Sequence, residues 1–319
     1  MPLHLLYHGN CFDGCASAAV FGRFAQEHLG VAADSIRYRP LQHQQGDPFP
    51  ADAFEAEIVA CVDFRFSPRL HWWFDHHASA FPTPADRDAY ERHPSPQKAW
   101  DPTAPSCTGF LVRILAERFG WRADDLRDLV HWADVIDAAQ FDSPRTAVEL
   151  REPALRIMTL LESTKDPALP PRLIQAMQRE PLAGIAAQPW IAGPLAPILE
   201  RHQKAIELVR EHARAQDGVV EIDLGDTPVE AANKFIAYEL FPEAAYTVVV
   251  TRDPKRTKVS VGSNPWARHR RVHDIARICE RYGGGGHPVV GAVTLPPGTL
   301  PEARRIAAEI ASTLRGGPT

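Results

Sequence analysis

Along the first half of the chain, short apolar runs alternate with longer stretches whose apolar positions recur every three or four residues. LHLLY at 3–7, SIRYRPL at 35–41, EIVACVDF at 57–64 and RLHWWFD at 69–75 are short and bounded by polar or turn residues, which predicts strands. CASAAVFGRFAQEHLG at 15–30, closed by Gly30, SCTGFLVRILAERFG at 106–120, ADDLRDLVHWADVI at 123–136 and TAVELREPALRIMTLLEST at 146–164 carry helical spacing. Pro153 starts or kinks the last of them. Strands alternating with helices build βαβ units, so this part predicts an α/β domain with a mostly parallel sheet and helices on both faces.

Prolines then crowd the segment 165–200, which predicts broken structure with short helices between domains. A second pattern follows: strands at 218–224, 244–253, 258–264 and 289–295, and helices in EAANKFIAYELF, VHDIARICERY and PEARRIAAEIASTLR. These make a smaller α/β domain of the usual single-core size. The expected division is therefore a domain at 1–190, a helical linker at 191–217 and a second domain at 218–319.

Composition changes this picture only coarsely. The chain has 319 residues, 45% of them hydrophobic, which suffices for two cores. Its 35 Lys and Arg against 40 Asp and Glu, net −5, exclude a broad basic surface for long duplex nucleic acid but not a local anion site. Five cysteines form no paired framework, and the opening MPLHLLYHGN lacks a basic region followed by a cleavable apolar segment. With no run of membrane-spanning length, these features predict a cytoplasmic protein in a reducing compartment, not associated with membrane.

The chemistry gathers at strand ends. In open α/β sheets the ligand crevice lies beyond the carboxyl ends of the strands. Three predicted strands end there in metal-ligand residue types: His8 and Asp13 after the first, Asp63 after the third, and Asp75, His76 and His77 after the fourth. Any one alone reads as a turn or a cap; three together point to a site. Imidazoles and carboxylates without zinc-finger cysteine spacing suit Mn²⁺, Mg²⁺, Fe²⁺ or a catalytic Zn²⁺. So many carboxylates in one pocket repel unless cations neutralise them, which favours two divalent ions and chemistry at phosphorus. Late in a helix, HWADVIDAAQF adds Asp134 and Asp137, three apart, where acids oppose the helix dipole.

These residues carry a resemblance. FDHHAS resembles the motif that names the DHH phosphoesterase superfamily. HGNCFDGCASA is similar to its first motif, CVDF to its second and ADVIDAAQF to its fourth. GGGGHPVVGAV resembles the hallmark of the DHHA1 domain in the RecJ-like and oligoribonuclease branch. The resemblance covers essentially the whole chain. It implies that His8, Asp13, Asp63, His76 and one of Asp134 and Asp137 bind two divalent ions, most often Mn²⁺ with Mg²⁺ or Co²⁺ as alternatives, and that Asp63 bridges them. Asp75 would orient its neighbours and His77 would face the substrate phosphate, both in catalytic roles. The second domain would hold the substrate's distal end, with Gly283, Gly284, Gly285 and Gly286 as an amide cradle and His287 as a contact.

The chain also departs from the family. Most relatives carry an aspartate where Cys11 stands, which weakens one metal position unless the adjacent Asn10 supplies a neutral oxygen. In SVGS, Gly262 occupies the place of a common arginine, leaving anion contacts to Arg268, Arg270 or Arg271. The implied activity is hydrolysis of a nucleotide-type phosphodiester or phosphomonoester: a short oligonucleotide, a cyclic dinucleotide or 3′-phosphoadenosine 5′-phosphate. The alternatives are a pyrophosphatase or polyphosphatase, or a nucleotide-binding sensor with a compromised metal site. The expected partner is a small nucleotide or short oligonucleotide; a homodimer is left open.

Overall fold

The structure is a computed structural model that describes residues 1–44, 46–227, 233–267 and 271–316. Its first elements are β1 (Leu3–His8), α1 (Phe12–His28), β2 (Ile36–Leu41), β3 (Ile58–Val62), β4 (Trp72–Asp75), α2 (Pro84–Arg92), β5 (Lys98–Trp100), α3 (Cys107–Phe119) and α4 (Arg127–Asp137). Five helices follow: α5 (Pro144–Glu149), α6 (Pro153–Ser163), α7 (Leu169–Met177), α8 (Leu182–Ala187) and α9 (Pro189–His212). The remainder comprises β6 (Ala213–Gln216), β7 (Val219–Asp223), α10 (Ile236–Leu240), β8 (Tyr246–Asp253), β9 (Arg256–Ser263), α11 (Ile275–Glu280), β10 (Gly285–His287), β11 (Val290–Leu295) and α12 (Leu300–Arg315). The chain parts into two compact units, Met1–Phe141 with Leu150–Ile198, and Asp142–Glu149 with Leu199–Thr319.

In the first unit the strands run in the order β2-β1-β3-β4-β5, every pair parallel. Successive strand residues point to opposite faces, and helices cover both. Phe21 of α1 meets Trp72 and Phe74 at 5.6 and 6.1 Å, whereas Trp73 between them meets Tyr90 of α2 at 5.3 Å. Burial on both sides is why these strands read as continuous apolar runs rather than alternating ones. Strand order reverses where β1 lies between β2 and β3, so the crevice opens beside the carboxyl ends of β1 and β3. His8 ends the first and Asp63 follows the second.

The second unit has a mixed sheet in the order β10-β11-β9-β8-β7-β6, with β7 and β8 parallel and the other pairs antiparallel. Alternation in β8 and β9 puts Val248, Val250, Val259 and Val261 against Ala303, Ile306, Ile310 and Leu314 of α12. Val220 and Ile222 join a separate cluster with Val209 and Ile236.

Several elements differ from expectation. The helix at 146–164 is two, α5 and α6, because Leu150 takes φ 50° between them; Pro153 opens the second, where a proline lacks no needed donor. The strand at 69–75 begins only at Trp72, since Leu70 N donates back to Ser67 O in a turn at 3.1 Å. Prolines do not end α9, which carries Pro194 and Pro197 inside it. Its buried Ile191 and Leu195, about 1.5–3 kcal/mol each, offset the donors lost. The segment 191–217 is helical only to His212, after which β6 belongs to the second sheet. Residues 230–232 of one expected helix lie outside the described residues, and α10 covers only Ile236–Leu240. Among the described residues no helix is long and apolar enough to cross a membrane.

Candidate metal and active site

At the end of β1 the chain turns through Asn10, φ 56°, and enters α1 with Asp13 in its first turn. Gly14 is required there: a Cβ would lie 2.1 Å from the His8 carbonyl oxygen, so only glycine lets α1 start against the end of β1. The fully buried Asp13 carboxylate accepts hydrogen bonds from Cys107 N (2.7 Å), Thr108 N (3.0 Å) and the Thr108 hydroxyl (2.6 Å). Those amides open α3, where the helix dipole favours an anion. Burial, then the charges of Asp63 and Asp137, nevertheless push Asp13 well above the ordinary carboxylate value.

Asp63 follows β3 at φ 56°, its amide donating to Phe74 O at 2.9 Å. The side chain is 1% exposed and neither oxygen has a hydrogen-bond partner. Its oxygens lie 3.4 Å from His8 Nδ1, 3.5 Å from His76 Nε2 and 3.7 Å from His77 Nδ1. Burial acts upward on this carboxyl, but His76 and His8 hold it below its ordinary value.

His76 is fixed by Nδ1, 3.0 Å from the Ala104 carbonyl oxygen. A carbonyl only accepts, so Nδ1 carries a proton and Nε2 faces three carboxylates: Asp137 at 3.3 Å, Asp63 at 3.5 Å and Asp13 at 3.7 Å. A bare lone pair facing three anions is unfavourable, and a proton or a cation must sit between. Against the effect of burial, Asp63, the Ala104 carbonyl and Asp13 raise His76 to about 10. His77 Nδ1 is 2.7 Å from Asp75 Oδ1, which also accepts the amides of His76 (2.8 Å) and His77 (3.2 Å). That bond to Asp75 raises His77, while burial raises Asp75 itself.

Among the described residues, three sets of donor atoms each lie within 4.8 Å of one another: His8, Cys11 and Asp63; Asp63, His76 and His77; and Asp13, His76 and Asp137. Two buried, unpartnered imidazole nitrogens, His8 Nδ1 and His76 Nε2, face the two unpartnered Asp63 oxygens. Donors sharing one cation through bonds of about 2.1 Å stand about 3.0–3.4 Å apart, close to these separations. Two carboxylates 4 Å apart repel by about 4 kcal/mol at an effective dielectric of about 20, which divalent ions remove. The donor set fits two divalent cations.

No family model and no curated relative matches the chain. Solved structures do. A pGpG-specific phosphodiesterase from Vibrio cholerae, PggH, is 17% identical with a TM-score of 0.73, over 98% of this chain and 99% of that one. The DHH domain of a member of a family of ribosomal proteins is 15% identical with a TM-score of 0.57, over 99% and 87%. RecJ from Thermus thermophilus in complex with Mn²⁺ is 15% identical with a TM-score of 0.51, over 97% of this chain but 52% of that one.

The chain has a DHH fold. Within it the aspartates of α4 part ways: Asp137 faces His76, whereas Asp134 Oδ1 accepts the Ser106 hydroxyl at 2.5 Å. Asn10 is exposed in the left-handed turn, a conformation asparagine tolerates. Sequence reasoning missed His43, just beyond β2, whose ring stacks on Phe64 at 4.9 Å and meets the His8 ring at 4.9 Å. Its place two residues past a predicted strand at this sheet edge was the available signal. It also missed the amides of Cys107 and Thr108, announced only by Ser106 as a cap.

In the second unit the glycine run is used structurally. Gly283 N and Gly284 N donate to Glu280 O and Cys279 O, closing α11, and Gly285–His287 is strand β10. A Cβ at Gly284 would lie 2.2 Å from Ala292 O, and one at Gly286 2.2 Å from Val290 O. His287 is exposed. Arg268 and Arg270 lie outside the described residues; Arg271 donates to the Ser263 hydroxyl at 3.1 Å.

Proposed function

We propose that the protein is a metal-dependent phosphodiesterase acting on a short nucleotide, a linear dinucleotide of the pGpG kind first among the substrates. One observation carries the reading: the buried oxygens of Asp63 stand without hydrogen bonds between the unpartnered nitrogens of His8 and His76. A buried carboxylate left unpartnered costs several kcal/mol, and a cation-binding site is the simplest reason to keep it. Support for the substrate class is the likeness to PggH over nearly the full length of both chains.

His8, Asp13, Asp63, His76 and Asp137 would hold two divalent ions, with Asp63 shared. Such ions supply charge neutralisation at phosphorus and a lowered pKa for the attacking water. The chain's own residues do the remaining work. Asp75 fixes the His77 ring through Nδ1, which leaves Nε2 as the ring's free position for a phosphate oxygen or leaving group. The amides of Cys107 and Thr108 hold Asp13 in one orientation. Trp100 Nε1 donates to His77 O at 2.9 Å and pins the backbone of the tripeptide.

Asp63→Ala is the test. With Mn²⁺ added, turnover of pGpG and of bis-p-nitrophenyl phosphate should both vanish while circular dichroism stays native. Near wild-type activity in the folded variant would refute the assignment.

A further inference from the structure

One of the three donor sets differs from the others in kind. Asp63, His76, His77 and Asp13, His76, Asp137 offer only nitrogen and oxygen, whereas His8, Cys11 and Asp63 include a sulfur. We propose that Cys11 is a metal ligand, so that the two metal positions are chemically unequal and the one built from His8, Cys11 and Asp63 takes a thiophilic ion such as Zn²⁺, Fe²⁺ or Co²⁺ in preference to Mn²⁺ or Mg²⁺. The inference rests on the metal-centre reading above and deepens it.

The backbone brings the sulfur there. Asn10 turns the chain at φ 56°, and Cys11, extended at φ −117° and ψ 139°, is the residue before α1. Its side chain makes no cap hydrogen bond to the helix. Two independent groups point at the same space: His8 Nδ1 and both oxygens of the 1%-exposed Asp63 are buried and without hydrogen bonds. All three donors lie within 4.8 Å of one another, a spread one cation draws together through a sulfur bond of about 2.3 Å and nitrogen and oxygen bonds of about 2.0–2.2 Å. The thiol proton leaves to solvent as the metal–sulfur bond forms. Of the five cysteines, Cys11 alone is half-exposed; Cys15, Cys61, Cys107 and Cys279 are buried. Softness then sorts the ions, since thiolate favours zinc-like ions and carboxylate with imidazole accepts manganese and magnesium.

Cobalt titration of the metal-stripped protein tests this with a readout independent of turnover, because a thiolate on Co²⁺ gives a near-ultraviolet charge-transfer band and nitrogen or oxygen ligands do not. The wild type should show the band as cobalt binds, counted by mass spectrometry. Cys11→Ser should lose it while still binding cobalt at the other position. Cys11→Asp, a second variant in case serine impairs folding, should bind cobalt without the band and gain affinity for Mn²⁺. Two cobalt ions bound with no band, or with a band unchanged in Cys11→Ser, would overturn the inference and leave the metal centre standing. A folded protein that binds no cobalt would overturn the metal centre as well.

Discussion

Asp134 and Asp137 lie three positions apart on α4, about 60° around the helix, and that small angle separates two roles. Asp137 Oδ2 reaches His76 Nε2 at 3.3 Å, while Asp134 binds the Ser106 hydroxyl that in turn caps α3 through Gly109 N at 2.9 Å. Removing them should therefore fail in different ways. Asp137→Asn should lower turnover by about 100-fold or more, the scale of several kcal/mol of lost charge stabilisation, with little change in melting temperature. Asp134→Ala should keep most activity but lose about 1–3 kcal/mol of stability, since it strips the hydrogen-bond acceptor from the hydroxyl of the buried Ser106. Steady-state rates and thermal melts on both variants check the pair; the reverse pattern would exchange the roles.

Elements impose their own demands. In β10 and the turn before it the reason for glycine is steric, and it differs from residue to residue. A Cβ on Gly284 meets Ala292 O at 2.2 Å, whereas one on Gly285 meets nothing within 4 Å. Gly284→Ala should cost about 1–3 kcal/mol by overpacking, and Gly285→Ala should cost less than half of that in a parallel denaturant titration. The last turn of α1 carries an electrostatic demand instead. Glu27 accepts Arg23 Nε and Trp121 Nε1, each at 2.9 Å. Burial acts upward on its carboxyl, but these partners hold it below the ordinary 4.5. An acid with a depressed folded value stabilises the fold above its unfolded value and loses that contribution as pH falls through the folded one. The denaturation midpoint of Glu27→Gln should thus trail the wild type above pH 4.5 and converge with it in more acidic solution.

At the scale of the molecule, the carboxylates gathered around His76 all belong to the first unit, while the glycine run and His287 belong to the second. The resemblance read from the sequence implies a division between hydrolysis in the first unit and selection in the second. Contacts remote from the reacting phosphorus are worth most to a substrate long enough to make them. His287→Ala should cut kcat/KM for pGpG about tenfold or more, the value of about one charge-assisted hydrogen bond, and leave bis-p-nitrophenyl phosphate nearly unchanged. Equal losses on both substrates, measured at equal metal content, would end the proposed division.

How much of this was legible in the chain depends on how local the cause is. That His8, Asp63, Asp75, His76 and His77 come together was readable because parallel strands present their carboxyl ends along one edge, so a polar residue ending an apolar run declares its own position. The DHH fold was readable for the same reason, its motifs marking successive strand ends. Tertiary structure decided the rest. Which aspartate of α4 faces His76 depends on how α4 packs against α3, a contact no spacing encodes. That β1 lies between β2 and β3, bringing His8 within 3.4 Å of Asp63 and His43 against His8, is set by strand order. The glycine run ends in a strand because Gly285–His287 pairs with β11, which lies close enough to exclude a Cβ at Gly284 and Gly286. Local sequence fixes residue types and periods; pairing across the sheet and packing between helices fix which of those residues meet.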